Sequence, residues 1–365
     1  MILVGSCIDR IDDSLNNENS TIVIDGYISD LPGPYKIRIF RSVGSEKDLA
    51  RPPMVELKQV SIFDDVGNKE ILEKRTLSDG AHVEYWTKPD GIKGEVGRKY
   101  VLRVELASGK ILESTPEKIH PVGTITDISY VFESYKPLQG QTEYGFRVFM
   151  NAEDVRGKVR WRFTGTHIVE TYPELRLDPI GGCRGLLNPA PCSGYITDGF
   201  SLVKVGECTC CRCWNNEYED VPNLSDEVIA TNGRFGNVEM AYVPFDVWRF
   251  HFRKYLVKVE QMSLSDDAFE YWKVIKDQKV GVNSLFQPAF GKIATNFLSS
   301  DPDIKVAGFF YATAISQKTI MISAEDASIK VPTFDRPGNE VCLFWNACDA
   351  SWPNASRTPP PEWED

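Results

Sequence analysis

The sequence predicts an all-β, mainly antiparallel protein, and two observations lead to that prediction. Short segments in which apolar and polar residues alternate recur along most of the 365 residues, a pattern typical of strands with one wet face. Turn residues such as Gly, Pro, Asn and Asp separate these segments. We therefore expect an N-terminal β-sandwich followed by a larger β-sandwich or barrel-like domain with one covering helix.

Residues 21–120 are predicted to form an immunoglobulin-like β-sandwich. The segment Thr21–Ile28 is rich in β-branched residues, Asp30–Pro34 has turn chemistry, and Tyr35–Arg41 alternates strictly. Further strands are expected at residues 55–63, 82–86, 100–106 and 110–114. Roughly six or seven short strands in about 100 residues are typical of this sandwich.

Residues 121–350 are predicted to form the second β-rich domain. Alternation continues at residues 125–134, 143–151 and 157–166, then in one long tract from Tyr242 to Leu264, and finally at residues 306–315 and 319–323. A Pro- and Gly-rich section, residues 173–199, interrupts this pattern. A structureless run of that length inside a compact domain is unusual, so we expect disulfides to cross-link it.

The covering helix is predicted at residues 265–279. Ser265 is an expected N-cap, Asp266 and Asp267 occupy the first turn, and Phe269 and Trp272 follow helical spacing.

A Pro-rich tail, residues 351–365, follows the second domain and shows no periodicity. Its Trp352 and Trp363 could anchor a partner, or the tail could simply pack on the sheet.

Composition excludes some functions. The formal net charge of -11 and the absence of a basic stripe argue against a nucleic-acid partner. No apolar run approaches the roughly 18 residues needed to cross a bilayer, so membrane attachment would require an anchor.

The expected anchor is a lipid on Cys7. The segment Leu3–Cys7 has the aliphatic, small, small, Cys form of a bacterial lipoprotein cleavage site, and the polar segment from Ile8 to Thr21 resembles a flexible tether. We therefore assign residues 1–20 to a signal remnant and tether. Too few residues precede Cys7 for a signal core of about 7 to 15 apolar residues, so we expect a natural start upstream or a trimmed chain. The alternative is a stray cysteine in a frayed terminus.

Eight further cysteines form an even set, which in an exported chain indicates disulfides. They are Cys183, Cys192, Cys208, Cys210, Cys211, Cys213, Cys342 and Cys348. Bridges from the 208–213 cluster are expected to run both to the loop that holds Cys183 and Cys192 and to the C-terminal pair. The sequence leaves the connectivity open.

The cluster Cys208, Cys210, Cys211 and Cys213 could instead bind a metal, because interleaved C-x-x-C spacing suits tetrahedral thiolate ligation. If residues 207–214 form a strand, however, Cys208 and Cys210 face away from the other two. A thioredoxin-type redox site would require a C-x-x-C at a helix start. Metal binding stays the first alternative to disulfides, and a redox site or free thiols are the remaining one.

Catalytic motifs are absent from the sequence. The four histidines, His82, His120, His167 and His251, are scattered, and no nucleophile elbow, HExxH, P-loop or GxGxxG has a suitable setting. We expect a protein that is not an enzyme and that has no cofactor.

Several motifs together resemble one family. They are Ile24–Ile28, Pro32–Pro34, Gly97-x-x-Tyr100-x-Leu102-x-Val104, Cys213-Trp214, Asn223–Ser225, Gln261–Trp272, Leu285–Pro288, Ala294–Asn296 and Val306–Phe310. In this combination the chain resembles the Bacteroidetes outer-membrane lipoproteins labelled domain of unknown function 4249. The extra cysteines Cys208, Cys210 and Cys211 depart from that pattern.

The resemblance implies a surface-exposed outer-membrane lipoprotein that is encoded beside a TonB-dependent nutrient transporter and assists it. It brings no catalytic residues. The alternatives are a metal-binding protein that uses residues 208–213 and an adhesion or interaction module.

Overall fold

A computed structural model describes residues 21–42, 54–76, 83–135, 142–174, 188–198, 201–226, 230–281, 295–330, 346–352 and 354–364. Over these residues the fold is all-β with mainly antiparallel sheets, which confirms the predicted class. The predicted tether, Cys7, Cys183, Cys342 and His82 lie outside the described residues.

The first half of the described chain contains twelve strands. They are β1 (Ile22–Ser29), β2 (Lys36–Arg41), β3 (Leu57–Asp64), β4 (Lys69–Ile71), β5 (Glu73–Thr76), β6 (Val83–Trp86), β7 (Lys99–Leu106), β8 (Ile111–Ser114), β9 (Glu117–Lys118), β10 (Thr124–Tyr135), β11 (Glu143–Glu153) and β12 (Lys158–Glu170).

The second half adds ten strands and three short or medium helices within the described residues. They are β13 (Tyr195–Thr197), β14 (Leu202–Lys204), β15 (Arg212–Tyr218), β16 (Asn223–Leu224), β17 (Phe235–Pro244), α1 (Val247–Phe250), β18 (Lys254–Leu264), α2 (Asp266–Gly281), β19 (Phe297–Ser299), β20 (Val306–Thr313), β21 (Ile315–Ser323), α3 (Cys348–Ser351) and β22 (Ala355–Ser356). Two 3-10 turns lie at Pro191–Ser193 and Ala324–Asp326.

Among the described residues, those up to Pro121 and those from Leu264 to Ala314 group into one compact unit, and those of 122–263 and 315–364 group into another. The first unit contains a sheet in the order β20-β1-β2-β6-β5 and a second sheet in the order β19-β8-β7-β3-β4, with β9 on β7. Strand β20 contacts β7 and β9 of the second sheet. The alternating burial of β1 and β7 shows why their sequences alternate, since one face of each strand lies in the core.

This division differs from the predicted domains in one respect. The predicted boundary lies near residue 120, whereas helix α2 and the two strands after it, β19 and β20, group with the N-terminal residues. The reason is that β20 pairs in parallel with β1, from Ile22 opposite Val306 to Ser29 opposite Thr313. A parallel partner must come from a distant segment, and local patterning does not reveal it.

Helix α2 confirms the predicted helix within two residues at each end. The Ser265 hydroxyl accepts a hydrogen bond from the Ala268 N–H at 3.2 Å, as an N-cap should. The Tyr271 ring packs on Phe309 of β20 with centroids 5.1 Å apart, which holds the helix against the first sheet of its unit.

The second unit contains a three-stranded sheet, β10-β11-β17, and a larger sheet in the order β21-β18-β12-β15-β22, with β16 on β12. Its core includes Trp161, Phe146 and Phe250, each at most 1% exposed. The Trp161 indole N–H donates to Gln261 Oε1 at 2.9 Å, so this buried polar group is satisfied.

The prediction of one strand tract from Tyr242 to Leu264 is wrong at its centre. Strand β17 ends at Pro244, helix α1 follows, and β18 begins only at Lys254. The Asp246 carboxylate accepts from the Arg249 N–H at 2.9 Å and caps α1, and Arg253 then turns the chain with a φ of 64°. His251 therefore lies in the turn after α1, not in a strand.

The C-terminal tail packs on the second unit, as one of the two alternatives expected. Strand β22 pairs with β15, and the Trp363 ring contacts Trp214 with centroids 6.3 Å apart. Among the described helices, none has the length and apolar character needed to cross a membrane.

Candidate functional site

Three disulfides connect six of the eight predicted cysteines. They are Cys192–Cys210, Cys208–Cys211 and Cys213–Cys348, each with Cα atoms 5.7 Å apart. One bridge runs to the Pro- and Gly-rich section and another to the C-terminal segment, in the two directions expected. Cys183 and Cys342, the remaining two candidates, lie outside the described residues.

The local geometry of the cluster differs from the strand considered above. Residues 209–211 form bends, and strand β15 begins at Arg212. The bend brings Cys208 and Cys211 together, whereas a strand would place them on opposite faces. It does so without Gly or Pro, because backbone hydrogen bonds to other segments hold it.

All four sulfur atoms of the proposed metal cluster are bonded to other sulfur atoms, so they offer no thiolate to a metal in this form. Cys213, Cys348 and Asp349 place their potential ligand atoms within 4.8 Å of one another, but the two sulfurs there form a disulfide. A metal at either place would require prior reduction.

An aromatic crevice lies beside the Cys213–Cys348 disulfide. The disulfide is fully buried together with Val169, and Trp352 packs against this cluster. The crevice is formed by the end of β12, by α1 and the turn after it, and by the C-terminal segment. Its lining residues are Ile168, Val169, Glu170, Tyr172, Val247, Trp248, His251, Phe252 and Trp352.

The crevice combines a large exposed aromatic ring with charge. Trp248 is 56% exposed. The Arg212 guanidinium lies over the Phe252 ring at 4.7 Å, and the Tyr172 hydroxyl donates to Glu170 at 3.3 Å. Trp248 and Arg212 are exposed and Tyr172 is partly exposed, and Trp, Tyr and Arg are the residue types enriched at the centres of protein interfaces.

The second unit also contains a polar cluster that the sequence did not predict. Glu217 Oε2 accepts from the Tyr255 hydroxyl at 2.8 Å and from Arg249 Nε at 2.9 Å, and Arg249 also pairs with Asp246. A Cβ at Gly165 would lie 1.9 Å from the Tyr255 hydroxyl, so glycine makes room for this bond. Burial raises the pKa of Tyr255 well above its usual value.

His167 completes this cluster. Its ring stacks on Tyr255 with centroids 5.8 Å apart, it is 3% exposed, and burial lowers its pKa. Its Nδ1 atom has no hydrogen-bond partner within the described part of the chain. Because Arg249 pairs with the Glu217 charge, we interpret the cluster as a structural network of polar side chains that links β12, β15, β18 and α1. No signal in the sequence indicates this cluster, because its members lie far apart along the chain and the predicted strand ended at residue 166.

The fold and these contacts define an all-β protein whose second unit is cross-linked by disulfides, one of which lies beside an aromatic crevice. The chain belongs to the family called Domain of unknown function (DUF4249), whose model matches residues 8–319. Among curated proteins, none matches the chain.

Proposed function

We propose that this protein is a surface-exposed outer-membrane lipoprotein of the Bacteroidetes type, anchored through Cys7, and a non-catalytic accessory or ligand-binding partner of a TonB-dependent nutrient transporter. The observation that carries the proposal is the set of three disulfides. Disulfides persist in oxidising compartments outside the cytoplasm. The Cys7 motif and the resemblance to outer-membrane lipoproteins support the same setting, since both imply export.

The aromatic crevice is the partner contact in this proposal. The exposed ring of Trp248 lies in a crevice lined by buried Val169, with the buried Cys213–Cys348 disulfide beside it. Because these groups are already fixed, binding a partner would cost little side-chain entropy there. Arg212 and Glu170 supply charges at the rim that can set the orientation of a partner.

The first test is co-purification from native membranes, with the tagged full chain as bait and the adjacently encoded transporter as the expected prey. Trp248→Ala should reduce recovery of the transporter by tenfold or more, since buried interface Trp residues often contribute about 2 kcal/mol or more. Tyr218→Ala is the matched control, because Tyr218 is a 55% exposed aromatic residue on β15 of the same unit. Equal recovery with both variants would exclude the crevice as the contact.

The second test concerns the anchor and uptake. Cys7→Ser should release the protein from the membrane fraction, and deletion of the gene should reduce uptake by the neighbouring transporter. Normal uptake together with no co-purification would refute the proposed role. Binding to a surface with unchanged uptake would instead favour an adhesion or interaction module, and stoichiometric metal with alkylatable thiols would favour a metal-binding protein.

A further inference from the structure

The three disulfides differ in their exposure to solvent and in the length of chain that they span. Cys210, Cys213 and Cys348 are fully buried, whereas Cys208 and Cys211 are both partly exposed. The sequence separation is 3 for Cys208–Cys211, 18 for Cys192–Cys210 and 135 for Cys213–Cys348. We propose that Cys208–Cys211 is a thiol–disulfide exchange site, which a dithiol reduces and the oxidised dithiol re-forms while the other two described disulfides stay intact.

Access decides which disulfide reacts first. A thiolate must approach a sulfur atom directly, so a disulfide with a buried sulfur reacts only when the surrounding structure opens. Each of the other two bonds has at least one fully buried cysteine. Cys208–Cys211 has none, and it can react in the folded protein.

Breaking Cys208–Cys211 removes little structure. The bond closes a ring of bends ahead of β15 and joins no two strands. Hydrogen bonds hold the same backbone without it: the Thr209 N–H donates to Cys192 O at 2.9 Å, and the Thr171 N–H donates to Cys211 O at 2.8 Å. The neighbouring Cys210 O accepts from the Cys348 N–H at 2.9 Å.

The same hydrogen bonds favour re-formation of the disulfide. They keep the Cα atoms of Cys208 and Cys211 near the 5.7 Å that the oxidised pair shows, a separation within the normal range for disulfides. In re-formation, one cysteine thiolate attacks the oxidised dithiol to give a mixed disulfide. The second, pre-positioned cysteine thiolate then attacks the first cysteine's sulfur intramolecularly and releases the reduced dithiol. Cys210 lies between them in sequence, but its bond to the Cys192 sulfur occupies it.

Reduction needs a dithiol as co-reactant, and re-formation needs the oxidised dithiol, which takes back the two electrons. One thiolate of the dithiol attacks the Cys208 or the Cys211 sulfur, the S–S bond breaks, and the released cysteine leaves as a thiolate that takes up a proton. The second thiolate of the dithiol then attacks the mixed disulfide. The protein gains two thiols and the dithiol becomes a disulfide, so two electrons pass to the protein. The chemistry does not depend on a transporter partner.

The test follows reduction of the full chain by dithiothreitol, with acid quenching, alkylation and mass mapping of each cysteine. Alkylation at Cys208 and Cys211 should appear in a first phase at least tenfold faster than at Cys213 and Cys348. Its rate should rise linearly with dithiol and stay flat in sub-denaturing urea, whereas reduction of the buried bonds should accelerate with urea. Oxidised dithiothreitol should then restore Cys208–Cys211.

The double variant Cys208→Ala/Cys211→Ala is the control, and it should lose the fast phase while keeping the slow ones and the circular-dichroism spectrum. The proposal is overturned if the fast phase maps to Cys192–Cys210, if it appears only with urea, or if re-oxidation joins Cys208 to a cysteine other than Cys211.

Discussion

Removing the Cys213–Cys348 disulfide should destabilise the second unit far more than removing Cys208–Cys211. The perturbation is the double variant Cys213→Ala/Cys348→Ala, with Cys208→Ala/Cys211→Ala as the matched control. Alanine avoids placing hydroxyl groups where Cys213 and Cys348 are fully buried.

The magnitudes follow from the lengths of chain that the bonds close. In the chain-entropy account, a disulfide raises the free energy of the unfolded state by an amount that grows with the number of residues it encloses. A separation of 135 residues corresponds to about 5 kcal/mol of stabilisation, and a separation of 3 residues to about 2 kcal/mol. Loss of packing against Trp352 adds to the first figure, since Trp352 lies on the buried cluster that contains the disulfide.

Urea unfolding followed by tryptophan fluorescence measures the difference. We expect the unfolding midpoint of the Cys213 and Cys348 variant to fall by at least twice the shift of the control. Equal shifts would refute the reasoning, because they would show that neither the chain span nor the burial of the bond determines its contribution.

Three further predictions concern other buried contacts. Burial raises the pKa of Glu117 from 4.5 to about 7, so the folded state holds the proton more tightly than the unfolded state does. The free energy of unfolding should therefore fall by at most about 3 kcal/mol as pH rises from 4.5 to 7. In urea titrations at several pH values, Glu117→Gln should flatten that dependence. Gly308→Ala should destabilise the first unit in thermal unfolding, because φ is +90° and the added Cβ would lie 2.0 Å from Ile24 O. Gln261→Leu should cost about 1 to 3 kcal/mol in the same assay, since it leaves the buried Trp161 N–H unpaired.

Alternation predicted the strands that bury one face. Strands β1, β2 and β7 follow it closely, because each has one core face and one solvent face. The tract through Phe245 and Phe250 also alternates, yet it contains helix α1, since capping by Asp246 and the turn at Arg253 override the apolar pattern. The short hairpin β13–β14 escaped prediction because its two strands have only three residues each.

The candidate site was only partly predictable for a different reason. Cysteine count and compartment indicated disulfides, but pairing depends on which segments the fold brings together, and that is not encoded locally. The bend at residues 209–211 pairs Cys208 with Cys211, a pairing that strand geometry would forbid. Trp248 and His251 reach the crevice only because α1 interrupts the strand tract.

The crevice combines residues inside and outside the matched family region. Trp248 and Phe252 lie within residues 8–319, whereas Cys348 and Trp352 lie beyond them. The Cys213–Cys348 disulfide therefore fixes a segment outside the match onto β15 and completes one wall of the crevice. If partner binding occurs here, its specificity should depend on that C-terminal segment. Trp352→Ala should then weaken co-purification of the partner while the disulfide and the fold persist.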